Sequence, residues 1–290
     1  MPFLFLGVGA EEGEGHLEMV GAASTLALSP GPRLESLRSK FSDGLGRVMN
    51  MCDNHLQGEV SRRRALQLGG SAALLGMSGI LFPNSASASS AGADIFHGPR
   101  NRAEVAITFH GAGDLSIARK ILATAKRTAT PITVMAVGVW LNAHPSMGRE
   151  IVNAGHELGN HTYSHKTMTL LTLKEAKVEI AKGKAAVTKA VGTPGKWFRP
   201  SGTLKSNSII RAAAGASGYA NCLVYDVDSL DYTNPSAKAI VANCMKTVAN
   251  GSIIGMHFGH VHTVTALPLL IQALHARNLT PVTVSQLLRA

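Results

Sequence analysis

Aromatic side chains are scarce in this 290-residue chain, 5% of all residues, with only two Trp and four Tyr. The lysines of one long helical stretch, Lys174, Lys177, Lys182, Lys184 and Lys189, have none interleaved among them. Without stacking partners beside the cations, a solvated helix face is the reading they support, and nucleic acid is set aside as a partner. Acidic residues are few as well: beyond residue 100 there are 20 Lys and Arg against 9 Asp and Glu, whereas the first hundred residues hold 8 against 9. The positive excess thus belongs to the last two thirds, where it favours an anionic surrounding such as a cell-wall polymer. A membrane-length apolar run is missing near the N-terminus. The uncharged stretch 66–82 is broken by Gly69, Gly70, Gly76 and Gly79 and falls short of a comfortable span.

What precedes that stretch is basic. Ser61-Arg62-Arg63-Arg64-Ala65-Leu66 resembles the twin-arginine export motif, and the small residues Ala86-Ser87-Ala88 follow the uncharged stretch. Positive charge, an apolar segment and an A-x-A-like site form the tripartite pattern of a removable signal. The sequence therefore predicts three parts. Residues 1–48 read as a disordered extension or a start codon set too early, since Met49 and Met51 are plausible starts; residues 49–90 read as a twin-arginine-type signal peptide; residues 91–290 read as a secreted domain with no membrane anchor after signal removal. Of the three cysteines, Cys52 leaves with the signal. An oxidising destination permits a Cys222–Cys244 disulfide, but twin-arginine substrates fold where thiols stay reduced, and two buried thiols are the favoured reading.

From residue 103 onward short apolar runs alternate with helical patterns, the signature of βα units and a largely parallel sheet. Strands are expected at 104–109, 132–137, 156–159, 196–199, 222–227, 252–257 and 281–284. Helices are expected around 117–125, 172–191, 207–216, 236–249 and 265–277. The second of these opens on the capping box Thr172-x-x-Glu175 and ends at Gly192. About seven parallel strands in so short a stretch give an α/β fold, read as a small, distorted (β/α) barrel, complete or not, with an open doubly wound sheet as the alternative.

Polar clusters fall at the C-terminal ends of several of these strands, where barrel active sites are built. His161 and His165, at the end of the run from Gly155, stand four apart; in a helical turn they share one face and could reach one metal ion, though a solvated helix gives the same spacing by chance. The others are Thr108-Phe109-His110-Gly111-Ala112-Gly113-Asp114, Phe198-Arg199-Pro200-Ser201, Asp226-Val227-Asp228-Ser229-Leu230-Asp231-Tyr232 and Gly255-Met256-His257. A hydrolytic metal site needs two or three His or carboxylate ligands, an open position for water, a base and an acid, and each part has a candidate.

In these motifs and their order, residues 102–288 resemble the polysaccharide deacetylases, carbohydrate esterase family four. The resemblance implies a distorted (β/α) barrel, a divalent metal, most often zinc, and removal of N- or O-acetyl groups from a glycan such as peptidoglycan or a chitin-like polymer. It also implies roles: His161 and His165 as metal ligands, Arg199 beside the base, His257 as the acid, paired with Asp228 or Asp231, and Ser201 and Tyr232 near the substrate and oxyanion. The family's first motif carries two Asp, a base and a ligand, where this chain has His110 and Gly111. Asp114 is the nearby carboxylate, expected as third ligand with His110 as base, or with the two exchanged. Gly255 and Tyr232 replace bulkier family residues, which predicts a wider pocket. The competing expectations are a catalytically inactive carbohydrate-binding wall protein on this scaffold and a hydrolase of a non-sugar amide.

Overall fold

The computed structural model describes residues 92–289; the predicted extension and export signal lie outside the described residues. In chain order the strands are β1 (Asp94–Ile95), β2 (Glu104–Gly111), β3 (Thr133–Ala136), β4 (Glu157–Asn160), β5 (Cys222–Leu223), β6 (Val227–Asp228), β7 (Ile253–His257) and β8 (Thr280–Val282). The helices are α1 (Leu115–Arg127), α2 (Gly138–Ala143), α3 (Pro145–Asn153), α4 (Leu173–Val191), α5 (Ser208–Ala216), α6 (Ala237–Thr247), α7 (Val261–Ala276) and α8 (Val284–Leu287). One sheet runs β4-β3-β2-β7-β6, with β8 also paired to β2, and β1 pairs with β5 apart from it. All these pairings are parallel. Strand and helix alternate as the periodicity predicts, and the fold is a parallel α/β fold of distorted-barrel type.

β2 shows why. Its odd positions Val105, Ile107 and Phe109 enter the main core with α1 and α7, while Ala106 on the opposite face packs with Met135, Trp197, Leu223 and Ile253. A strand covered on both faces reads as a nearly continuous apolar run rather than an alternating one. Side chains alternate along a strand, so His110 shares the face of Ala106 and Thr108 and stands at the strand's C-terminal end.

Two expected strands differ. Residues 196–199 make only a parallel bridge, Phe198 to Asn160. Residues 222–227 divide between β5 and β6, in different sheets. The break falls at Asp226, whose carboxylate accepts from the Ile253 amide at 2.8 Å, the Ser252 hydroxyl at 3.1 Å and Arg100 at 2.7 Å. A side chain that takes a neighbouring strand's amide bends the chain out of a regular ladder. Helices α2 and α3 go unseen by the helical pattern; α2 is only six residues long. Cys222 and Cys244 are buried, free thiols, as favoured, and burial pushes them up to about 11 and about 12.

Helix α4 is the buttress of the site. Its capping box is present, with Thr172 accepting from the Glu175 amide at 3.3 Å and Glu175 accepting from the Thr172 amide at 2.9 Å, and Gly192 closes it at φ 83°. Its buried Glu179 accepts from the amides of Tyr163 (3.2 Å) and Ser164 (2.8 Å) and from the Ser164 hydroxyl (2.7 Å), fixing the loop after β4. One turn on, Gly183 lets that loop lie against the helix: a Cβ there would meet Asn160 Oδ1 and stand 2.7 Å from the Thr162 carbonyl oxygen. Helix propensity alone makes Gly→Ala stabilising by about 0.5–1 kcal/mol. The contact reverses the sign, and we expect Gly183→Ala to lower the unfolding free energy by about 1–3 kcal/mol in denaturant titration.

Candidate active site

His161 follows β4 directly, and the chain from there to His165 is a loop rather than a helical turn, with Thr162 at φ 64° and His165 at φ 57°. The expected shared helix face is therefore absent. The imidazoles still meet: His165 Nε2 lies 3.1 Å from His161 Nε2. Two left-handed residues, tolerated because Glu179 and the Ser201 hydroxyl hold the loop, achieve what helical spacing was expected to do. His161 Nδ1 sits 2.9 Å from the Arg199 carbonyl; that oxygen can only accept, so the proton is on Nδ1 and the lone pair on Nε2. Burial and the neighbouring charges of His165 and Arg199 hold His161 well below the ordinary imidazole pKa, hence neutral.

A second chain of imidazoles starts at a carboxylate. Asp231 is fully buried and accepts from the His257 amide (2.8 Å), His257 Nδ1 (2.7 Å) and the Thr263 hydroxyl (2.7 Å). Burial would raise its pKa, but the His257 charge and these hydrogen bonds outweigh that and keep it below the usual carboxylate range. An ionised Asp231 places a proton on His257 Nδ1. In neutral His257, Nε2 is then an acceptor, and it lies 2.8 Å from His110 Nδ1. His110 accordingly donates from Nδ1 and carries its lone pair on Nε2, an atom shielded from solvent and without a hydrogen-bond partner. Burial, and then the charges of His257, His161, Arg199 and His165, push the His110 pKa well below its ordinary value. Of the two predicted partners of His257, Asp231 is the one bonded; Asp228 accepts from the Leu230 amide at 2.9 Å, and burial raises its pKa.

His110, His161, His165, Arg199, Asp228, Tyr232 and His257 line one cavity of about 410 Å³. Ser201 is not among its lining residues; its hydroxyl donates to the Lys166 carbonyl at 2.6 Å and so ties the 201 loop to the histidine loop. Tyr232 stands edge-on to His257, centroids 5.4 Å apart. The sequence reading missed Tyr225. Its ring lies 5.2 Å from the Arg199 guanidinium and fills the room beside Gly255, where a Cβ would come within 3.0 Å of it. The predicted widening at Gly255 is therefore taken up by an aromatic ring from another strand's end, a compensation across the sheet that linear sequence does not display.

Asp114 does not join this cavity, contrary to the expectation of a third ligand or base. It is the N-cap of α1, accepting from the Ser116 and Ile117 amides at 2.7 and 3.3 Å, and is exposed. The buried Trp140 indole fixes the turn before it by donating to the Gly113 carbonyl at 2.9 Å. An Asp directly ahead of the apolar positions Ile117, Ile121, Leu122 and Ala125 is itself an N-cap signal. No carboxylate fits at residue 111 either, because a Cβ there would meet Val134 Cγ1 at 2.7 Å and Ala136 Cα at 3.1 Å.

These donors decide how a metal would fare. Two imidazole nitrogens each about 2.0–2.1 Å from a tetrahedral zinc sit about 3.3 Å apart, and the 3.1 Å pair of His161 and His165 suits that. Among the described residues, however, no group of three His, Cys, Asp or Glu has the arrangement to hold an ion. The residues do not fit the three-donor site that the resemblance implies, and no chemical step is derived through a metal.

The comparisons agree with this architecture. The family model "Polysaccharide deacetylase" matches residues 97–221. A peptidoglycan-N-acetylglucosamine deacetylase of Bacillus cereus is 31% identical over 190 residues, covering 63% of this chain and 67% of that protein. Among solved structures, a family 4 carbohydrate esterase from Streptomyces lividans in complex with acetate is 30% identical, TM-score 0.56, covering 61% of this chain and 91% of that one. A family 4 pseudoenzyme from Bacillus anthracis, 24% identical with TM-score 0.64 over 68% of this chain and 69% of that one, shares the fold.

Because Asn caps a helix about as well as Asp, Asp114→Asn is expected to change unfolding free energy by less than about 0.5 kcal/mol. Zinc content after dialysis, read by elemental analysis, is expected to equal that of the parent; a selective loss of zinc would restore Asp114 to the site.

Proposed function

The chain belongs to the polysaccharide deacetylase family, and from that membership we propose that it hydrolyses acetyl groups of a cell-wall glycan, with N-acetylated peptidoglycan first among the substrates. The observation that carries the reading is the chain Asp231–His257–His110, which ends in a buried lone pair at the wall of the cavity. His110 Nε2 is the base that takes a proton from water as the oxygen adds to the acetyl carbonyl. As that proton arrives, the proton on His110 Nδ1 can pass to His257 Nε2, leaving the positive charge next to the Asp231 carboxylate. The C–N bond breaks as the sugar nitrogen takes the proton from His110 Nε2 while His257 Nε2 hands its proton back to His110 Nδ1, which restores both tautomers, and acetate and the protonated amine result. A base joined to the acid by one hydrogen bond returns the proton it removed.

The basic surface supports an anionic polymer, and the relatives' action on peptidoglycan supports work outside the cytoplasm. Export through the twin-arginine motif is part of the same proposal. Zinc, which the resemblance implies, would find the His161 and His165 pair alone, and the mechanism given does not use it. A second reading is favoured by one observation: both carboxylates of the family's first motif are replaced. On that reading the chain binds acetylated glycan without cleaving it.

Release of acetate from N-acetylated peptidoglycan separates the two. We expect His110→Asn to lower kcat/KM at least about 100-fold, the ordinary worth of a general base. Because His110 must be neutral to act and its pKa lies well below 6.5, activity is expected to stay level as pH falls through 6.5 and to decline only below it. A decline centred at or above 6.5 assigns the base elsewhere.

A further inference from the structure

A second hollow, of about 550 Å³, adjoins the catalytic cavity, with Phe96, Lys205 and Arg211 in its lining. Segment 202–206 separates the two: Gly202, Thr203 and Leu204 line the cavity, Ser206 lines the hollow, and Lys205 lines both. Strand β1 builds the far wall. It pairs with β5, Asp94 beside Cys222 and Ile95 beside Leu223, and the Val224 amide donates to the Ile95 carbonyl at 2.8 Å. Side chains alternate along extended backbone, so Ile95 packs on the core while Phe96 turns the other way, half-buried in the wall of the hollow. The Asp94 carboxylate accepts from the Ser206 amide at 2.8 Å, which ties the dividing segment to β1.

The charges in the hollow are uneven. Lys205 is exposed and Arg211 half-buried, and none of the ion pairs among the described residues includes either. Arg211 Nη1 donates to the Ser206 carbonyl at 2.6 Å, which steadies the guanidinium beside the hollow. Asp94 is the one acid in the lining; one of its oxygens is spent on the Ser206 amide and the other is shielded from solvent. A ligand therefore meets two cations and an aromatic ring. The ring suits the carbon-bearing face of a sugar, and the cations suit a carboxylate.

A glycan with one unit in the catalytic cavity must lay a neighbouring unit outside it, and the hollow across Lys205 offers the place. We infer that this hollow is a second glycan subsite that takes a sugar bearing its own carboxylate, next to the unit whose acetyl group enters the cavity. The inference rests on the deacetylase reading for its substrate; in peptidoglycan that carboxylate is the lactyl group of muramic acid.

The test is calorimetric titration of the full chain carrying His110→Asn, so that no acetyl group is removed. Peptide-free peptidoglycan strands with free lactyl carboxylates are compared with neutral chitooligosaccharide of equal length. Binding of the acidic strand at least about tenfold tighter is expected, and equal binding overturns the inference. Arg211→Gln, outside the catalytic cavity, is expected to remove most of that preference while changing affinity for the neutral oligomer less than about twofold. Phe96→Ala is expected to weaken binding of both. With circular dichroism confirming each fold, unchanged affinities in either variant overturn the assignment. So does tight binding that appears only when stem peptides remain on the strand, since the recognised carboxylate is then the peptide's. Acidic-strand preference in a chain whose parent releases no acetate from peptidoglycan keeps the subsite and removes the hydrolase reading. Acetate release without the preference does the reverse.

Discussion

The buried carboxylate of Asp231 sets the terms for the rest of the site. It holds the end of β7 through the His257 amide and the first turn of α7 through Thr263, and it bonds His257 Nδ1. An ionised group at such depth is tolerated only because three donors, one of them the adjacent imidazole, compensate its lost hydration. Once it is ionised, and with His257 in its neutral form, the protons of two further residues follow. His257 must donate from Nδ1, His110 must donate to His257, and the lone pair of His110 is left at the cavity wall. One buried charge thereby determines the tautomers of two imidazoles that share no sequence neighbourhood.

Against this the opposite wall is cationic. Arg199 is enclosed by carbonyls, the Thr108 hydroxyl and the Tyr225 ring, with no carboxylate to answer it. The four imidazoles between these two charges, His110, His161, His165 and His257, crowd within ring distances of 4.3–4.8 Å along the sequence of contacts. A proton added to His110 or His161 is opposed by burial and by the neighbouring charges, which is why those two imidazoles are neutral. A site of this composition differs from the carboxylate-rich one implied by the resemblance. It keeps His257 bonded to Asp231, and where the resemblance implies a carboxylate it has an imidazole, His110, hydrogen-bonded to His257.

The fold was legible to the extent that burial writes itself into periodicity. β2, β3, β4 and β7 were found because strands covered on both faces must be apolar throughout, and α4 because its capping box and terminal glycine are local chemistry. Residues 196–199 and 222–227 were harder. Their apolar content marks burial, but whether a buried run pairs as a ladder depends on which backbone groups a distant side chain such as Asp226 has already claimed. Among the candidate site residues, the motif histidines and Arg199 line one cavity and Asp231 is bonded behind His257; Tyr225 and Gly183 carry no signal in the sequence because their roles are complements to surfaces made elsewhere.

Sequence by itself determined the parallel α/β plan, the family, and which histidines lie at strand ends, since each follows from local pattern or short motif. Only the tertiary structure decided the fate of Asp114. A carboxylate can cap a helix or reach a neighbouring loop, both are compatible with its position in the chain, and the choice rests on where Trp140 pins the turn before it. It likewise decided that His110 is joined to His257 and that Arg199 stands unpaired. Hydrogen bonds between residues 147 apart in the chain, and charges left without partners, are properties of the assembled core and of no segment in it.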